Sequence, residues 1–133
     1  MFSTIVIGLD GSDTAQRACN EGVELAKKLE AQIHLVTAFS DSSSGGSEIT
    51  DEQREAQKML DATAEACNFT GSITTHALRG SPAATILKVT DQVDAELIVV
   101  GNQGMTGFRR VLGSVASAVT TQAPCTVMVV KTT

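Results

Sequence analysis

Five short runs punctuate this chain of 133 residues: 4–9 (TIVIGL), 33–37, 73–78, 97–100 (LIVV) and 126–130 (TVMVV). Three of them are apolar almost without interruption. A strand with one wet face alternates apolar and polar residues, whereas a solid apolar run demands cover on both faces. The intervening segments supply that cover. After Asp13, read as the N-cap of a first helix, Ala15, Ala18, Cys19, Gly22, Val23, Ala26 and Leu29 recur at helical spacing. Thr50 and Gln53 have the spacing of a capping box, ahead of a stripe of Ala56, Met59, Leu60, Thr63, Ala64 and Cys67. Ser81 and Pro82 suit the N-cap and first turn of a third helix, with Ile86, Val89, Thr90 and Val93 inward. A fourth helix lies in the later half of residues 101–124 and turns Val115, Ala118 and Val119 inward.

Solid strands alternating with helices imply an α/β fold: a five-stranded parallel sheet with helices on both faces and right-handed crossovers, Rossmann-like, in the order 3-2-1-4-5. At this length residues 1–133 are expected to form a single domain that buries a core without staples. Ligands of such sheets bind beyond the carboxyl ends of the strands, near the switch in strand order. Two loops should meet there, the one holding Asp10 and the one holding Gly101 and Gly104.

Charge is divided unevenly. All 15 carboxylates lie at or before Glu96, among seven basic residues, while residues 97–133 contain Arg109, Arg110, Lys131 and no acid. An acidic chain with one acid-free, glycine-rich segment points to a local anion site; a nucleic-acid partner would want a broader basic surface. Trp and Tyr are absent and Phe2, Phe39, Phe69 and Phe108 are the only aromatics, so stacking platforms for single strands are not expected either. No apolar run approaches the roughly 20 residues of a membrane span. The first residues show no charged leader or cleavage site, so the expected address is the cytoplasm. Cys19, Cys67 and Cys125 are odd in number and far apart, reading as small buried hydrophobes rather than a disulfide framework or metal site. His34 and His76 fall in separate strands, with no acid or cysteine cluster beside either, and carry no metal or catalytic expectation.

The strongest constellation is Gly101-Asn102-Gln103-Gly104, followed after eight residues by Gly113-Ser114. Glycines after a buried strand allow close approach of a ligand and positive φ. The amides at a helix start, the Ser114 hydroxyl and the positive end of the dipole then make a phosphate site, with Arg109 and Arg110 able to close on it. The run 42–46 (SSSGG) lacks the Lys-Ser/Thr of a Walker loop.

Taken with IVIGLDGSDTA near the start, GSPAATI at 80–86, VVGNQGMTGFRRVLGSV at 99–115 and APCTVMVV at the end, the chain resembles the universal stress protein family, in its nucleotide-binding branch. The family's signature is G-x2-G-x9-G-S/T; here the second gap is one residue shorter. The resemblance implies that Gly101, Gly104, Gly113 and Ser114 hold phosphates and ribose, and that Asp10, beside Leu9, contacts the base or ribose. It places Ala38 and Val100 against adenine, and gives Val115 and Ala116 a backbone role at the helix start. It further implies ATP, with or without Mg, as the ligand and a homodimer through the last strand.

Function then divides between an ATP-binding stress-response regulatory protein and a slow ATPase, with cyclic AMP or AMP as alternative ligands of the same loop. Gln103 and Asp10 are the only candidates to position water, and neither has an evident partner, so binding without efficient turnover is favoured. A phospho-acceptor receiver domain shares the sheet but needs an acidic pair after the first strand and an acceptor Asp after the third. This chain offers Asp10 alone at the first place and Arg79-Gly80 at the second.

Overall fold

A computed structural model describes residues 2–40, 49–102 and 112–132. Its elements are β1 (Thr4–Gly8), α1 (Asp13–Leu29), β2 (Gln32–Phe39), α2 (Asp51–Ala66), β3 (Ile73–Arg79), α3 (Pro82–Val93), β4 (Leu97–Gly101), α4 (Ser114–Gln122) and β5 (Thr126–Val130). The strands form one sheet in the order β3-β2-β1-β4-β5, with every pairing parallel. The expected fold class is the one observed.

Register explains why the central strands are apolar throughout. Ile5 pairs with Ile33 on one side and Leu97 on the other, and Ile7 with Leu35 and Val99. These odd-numbered side chains form one core with Cys19, Val23 and Ala26 of α1 and Leu60 of α2. Val6, Val36, Ile98 and Val100 point the other way and pack against Ile86 and Val89 of α3 and Ala116 and Val119 of α4. Each fully enclosed Ile, Leu or Val contributes about 1.5–3 kcal/mol of transfer free energy, so two complete cores suffice without a cross-link. Gly22 brings α1 down onto the sheet: a Cβ there would stand 2.8 Å from Ile7 Cδ1.

Three helix starts are closed by side chains. Ser12 accepts from the Ala15 amide, Thr50 from that of Gln53, and Ser81 from that of Ala84. The cap of α1 is thus Ser12 and not Asp13, which is the first helical residue. Asp13 still acts on the helix, as a carboxylate at the positive end of its dipole. At α4 the inward side chains are Ala116 and Val119, while Val115 and Ala118 are only half-buried. The inward stripe is therefore turned from the expected one, with Val119 common to both. Among the cysteines Cys19 is fully enclosed, and Cys67 and Cys125 are half-buried.

Candidate functional site

The order of the sheet reverses between β1 and β4, and a crevice opens beyond their carboxyl ends. The chain leaves β1 under tight control. The Leu9 amide donates to Val36 O at 2.9 Å, and the buried Thr37 hydroxyl donates to Leu9 O at 2.7 Å. With both Leu9 backbone groups held, the next residue is pushed out into the crevice. Asp10 is exposed there, and its Oδ1 accepts from both the amide and the hydroxyl of Ser12. The turn continues through Gly11 at φ +83°, the left-handed region that favours glycine. Asp10 therefore orients the residue that caps α1.

Two depressions share Asp10. The first, of about 180 Å³, lies between α1, α3 and the start of α4 and is lined by Gly8, Leu9, Asp10, Thr14, Ala15, Pro82, Ile86, Val100, Gly101, Ser114 and Val115. The second, of about 530 Å³, lies on the other side of Asp10 and is lined by Thr37, Ala38, Phe39 and Ser40 from the end of β2 and by Asp51, Glu52, Glu55, Ala56 and Met59 of α2. The structure so brings together Leu9, Asp10, Val100, Gly101, Ser114 and Val115. Ala38 is in the neighbouring depression, so the two residues expected against adenine, Ala38 and Val100, meet only across Asp10. The Ala116 side chain is enclosed in the core, leaving its backbone as the part available at the helix start. Gly104, Arg109 and Arg110 lie outside the described residues.

The glycines act through space and not through unusual dihedral angles. Gly113 has φ −61°, and the positive-φ glycines among the described residues are Gly11 and Gly80, so the expected positive φ is absent at Gly101 and Gly113. A Cβ on Gly101 would meet only ordinary contacts, the nearest being Ala18 Cβ at 3.6 Å. A Cβ there would point toward Ala18, Thr14 O and Thr132. Gly8 is different, since a Cβ there would lie 2.6 Å from Ile86 Cδ1. That glycine serves the approach of α3 to β1.

Among the described residues no side chain caps the start of α4. Its first helical bond runs from the Ser117 amide to Gly113 O, which leaves the earlier amides of the first turn without intrahelical partners. Its first turn also carries no acid. Hydrogen-bond donors and a positive dipole end consequently face the depression that Ser114 lines.

Sequence reasoning passed over Asn102. Its carbonyl accepts from the Gly113 amide at 2.9 Å, which ties together the two ends of the glycine loop. Its amide donates to Val130 O at 2.9 Å, and its Oδ1 accepts from the amide and hydroxyl of Thr132 at 2.9 and 3.0 Å. Arg17 of α1 donates in turn to Thr132 O at 3.1 Å. A polar side chain directly after a solid apolar strand was the available signal.

Thiol chemistry does not enter the crevice. Burial, reinforced by the neighbouring Cys67, pushes the Cys19 thiol up to about 12, and burial also raises Cys67 and Cys125. Among the described residues no group of three or more His, Cys, Asp or Glu converges as a metal cluster, and no helix is long and apolar enough to cross a membrane.

A sequence model of the universal stress protein family matches residues 1–131. A universal stress protein of Methanocaldococcus jannaschii is 34% identical, the alignment covering 98% of this chain and 83% of the relative. Among solved structures, a universal stress protein in complex with cAMP superposes with a TM-score of 0.81 at 28% identity, over 99% of both chains. A universal stress protein from Archaeoglobus fulgidus in complex with dAMP gives 0.73 at 25% identity, over 97% of both. With this sheet order, this crevice and a match over nearly its whole length, the chain belongs to the universal stress protein family.

Proposed function

We propose that residues 1–133 act as one nucleotide-binding domain of a regulatory protein of the cytoplasm, holding an adenine nucleotide, ATP, with its phosphates at the start of α4. The observation that carries this reading is the uncapped, acid-free first turn of α4 facing a depression lined by Gly101 and Ser114. Amide donors, a serine hydroxyl and space left by glycine are what phosphate oxygens require. Gly104, Gly113, Arg109 and Arg110 complete the phosphate grip, and Lys131, beyond β5, takes no part. Asp10 and Leu9 meet the ribose or base, with Val100 and the backbone of Val115 and Ala116 on one side and Ala38 on the other. Mg, when present, accompanies the triphosphate.

Binding without turnover is the favoured reading, supported by the engagement of Oδ1 of Asp10, the candidate base, by two donors from Ser12. The competing ligands are cyclic AMP and AMP, a second reading supported by the solved relatives in complex with cAMP and dAMP. β5 stands at the sheet edge with Val127, Met128, Val129 and Val130 half-buried, and a second copy pairing there would cover it.

Mass spectrometry of nucleotide released from the purified protein, followed by calorimetric titration with ATP, AMP and cyclic AMP, tests the reading. Bound adenine nucleotide is expected, weakened by Arg109→Ala and Arg110→Ala and unaffected by Lys131→Ala. Failure of all three nucleotides to bind at millimolar concentration overturns it. Single-turnover hydrolysis abolished by Asp10→Ala would instead favour the ATPase. Light scattering at micromolar concentration should give a dimer.

A further inference from the structure

His34 and His76 are 42 residues apart in sequence, yet the pairing of β2 with β3 sets them side by side. His34 pairs with Thr74 and Val36 with His76, so the two imidazoles are diagonal neighbours on the face that carries Val36 and Leu78. His34 Nδ1 and His76 Nε2 stand 2.9 Å apart, with ring centroids at 5.2 Å and planes tilted by 33°. Both rings are half-buried, and Gln32 and Thr74, on the same face, are exposed. In a sheet otherwise covered on both sides, this corner is polar and open to solvent.

We propose that His34 and His76 form a two-imidazole site for a divalent transition-metal ion, with solvent completing the coordination. Neutral imidazole nitrogen is a preferred donor for such ions, and two donors on adjacent strands of a rigid sheet are already held together. At metal–nitrogen distances of about 2.0–2.1 Å, two nitrogens 2.9 Å apart subtend about 90°, the cis angle of tetragonal and octahedral ions. One proton now lies between these nitrogens. Coordination moves it to the other nitrogen of the ring that carries it and turns both rings off the N···N line so that both lone pairs face the ion; two waters leave the aqua ion, and nothing is oxidised or reduced. Burial, aided at His34 by its neighbour, lowers both pKa values, so the rings are neutral ligands near pH 7. The site is separate from the crevice: His34 lies four residues, about 13 Å of strand, before Ala38.

Ni2+ is the suitable probe because it leaves thiols unoxidised. Tag-free protein titrated with NiCl2 by calorimetry at pH 7.5 is expected to bind one equivalent, with paramagnetic broadening of NMR signals centred on His34 and His76. Loss of one imidazole, in His34→Gln or His76→Gln, should weaken binding roughly tenfold or more, because the second ligand acts at high effective concentration. Ni2+ should raise the Tm of the parent protein and not that of the double variant, and the Tm of each apo variant establishes that it folds. Unchanged affinity in both single variants, broadening centred elsewhere, or no binding at millimolar Ni2+ overturns the proposal.

Discussion

Helices α2 and α4 both start beyond the carboxyl ends of the strands and treat their first turns in opposite ways. In α2 the Thr50 hydroxyl accepts from the Gln53 amide, and Asp51 and Glu52 sit on the positive end of the dipole. In α4 the cap position is Gly113, no side chain among the described residues closes the turn, and the first turn carries no acid. The first helix answers its own dipole, whereas the second leaves amides and dipole to something else. The place for an anion is marked by what a helix start lacks as much as by what it contains. The same contrast separates the two depressions flanking Asp10, one bordered by Asp51, Glu52 and Glu55 and the other by Gly101 and Ser114.

The largest expected effect comes from making α4 resemble α2. Ser114→Asp places a carboxylate on the exposed first turn and should lower adenine-nucleotide affinity about 30-fold, about 2 kcal/mol, with Tm unchanged or raised. Calorimetric titration beside a thermal melt reads both, and undiminished affinity would put the phosphates elsewhere. Next is Asn102→Ala, which removes the acceptor of the Thr132 amide and hydroxyl and should cost about 1.5 kcal/mol in chemical denaturation. Stability equal to the parent would show that the backbone bonds of Asn102 suffice alone. Thr50→Ala strips the cap from α2 and should cost about 1 kcal/mol while leaving nucleotide affinity untouched. A loss of affinity there would break the division of labour between the two helices.

The smallest effect is one of pH. His34 and His76 have pKa values lowered from 6.5 by burial, and at His34 also by its neighbour. The unfolded chain then binds more protons between the lowered values and 6.5, so the stability due to these groups is complete above 6.5 and is lost as pH falls below it. Denaturation at pH 7.5 and 5.5 should show this loss, and His34→Gln with His76→Gln should reduce it. An unchanged pH dependence in the double variant would assign it to other groups.

The fold was legible because solid apolar runs and helical stripes admit few arrangements. Predicted and observed limits of β5 coincide, and Ser81, Pro82 and Thr50 stand where their chemistry put them. The site was legible by element and less so by atom. Ser12 and Asp13 are both good caps, and only the bond from the Ala15 amide to Ser12 Oγ shows which one closes the helix start. The separation of Ala38 from Val100 follows from β2 and β4 flanking β1 on opposite sides, a matter of strand order that no local pattern encodes. The meeting of His34 with His76 needed the register of β2 on β3, a nonlocal quantity.

The hydrogen bond from the Gly113 amide to Asn102 O has a consequence for the length of what it encloses. Residues 103–112 join two anchored points, and the conformational entropy lost in joining them grows only as the logarithm of their number. Ten residues in place of eleven change that entropy by under about 0.1 kcal/mol. By loop-closure entropy alone, the one-residue contraction of the glycine spacing is therefore nearly without cost, and the bond that presents α4 is kept.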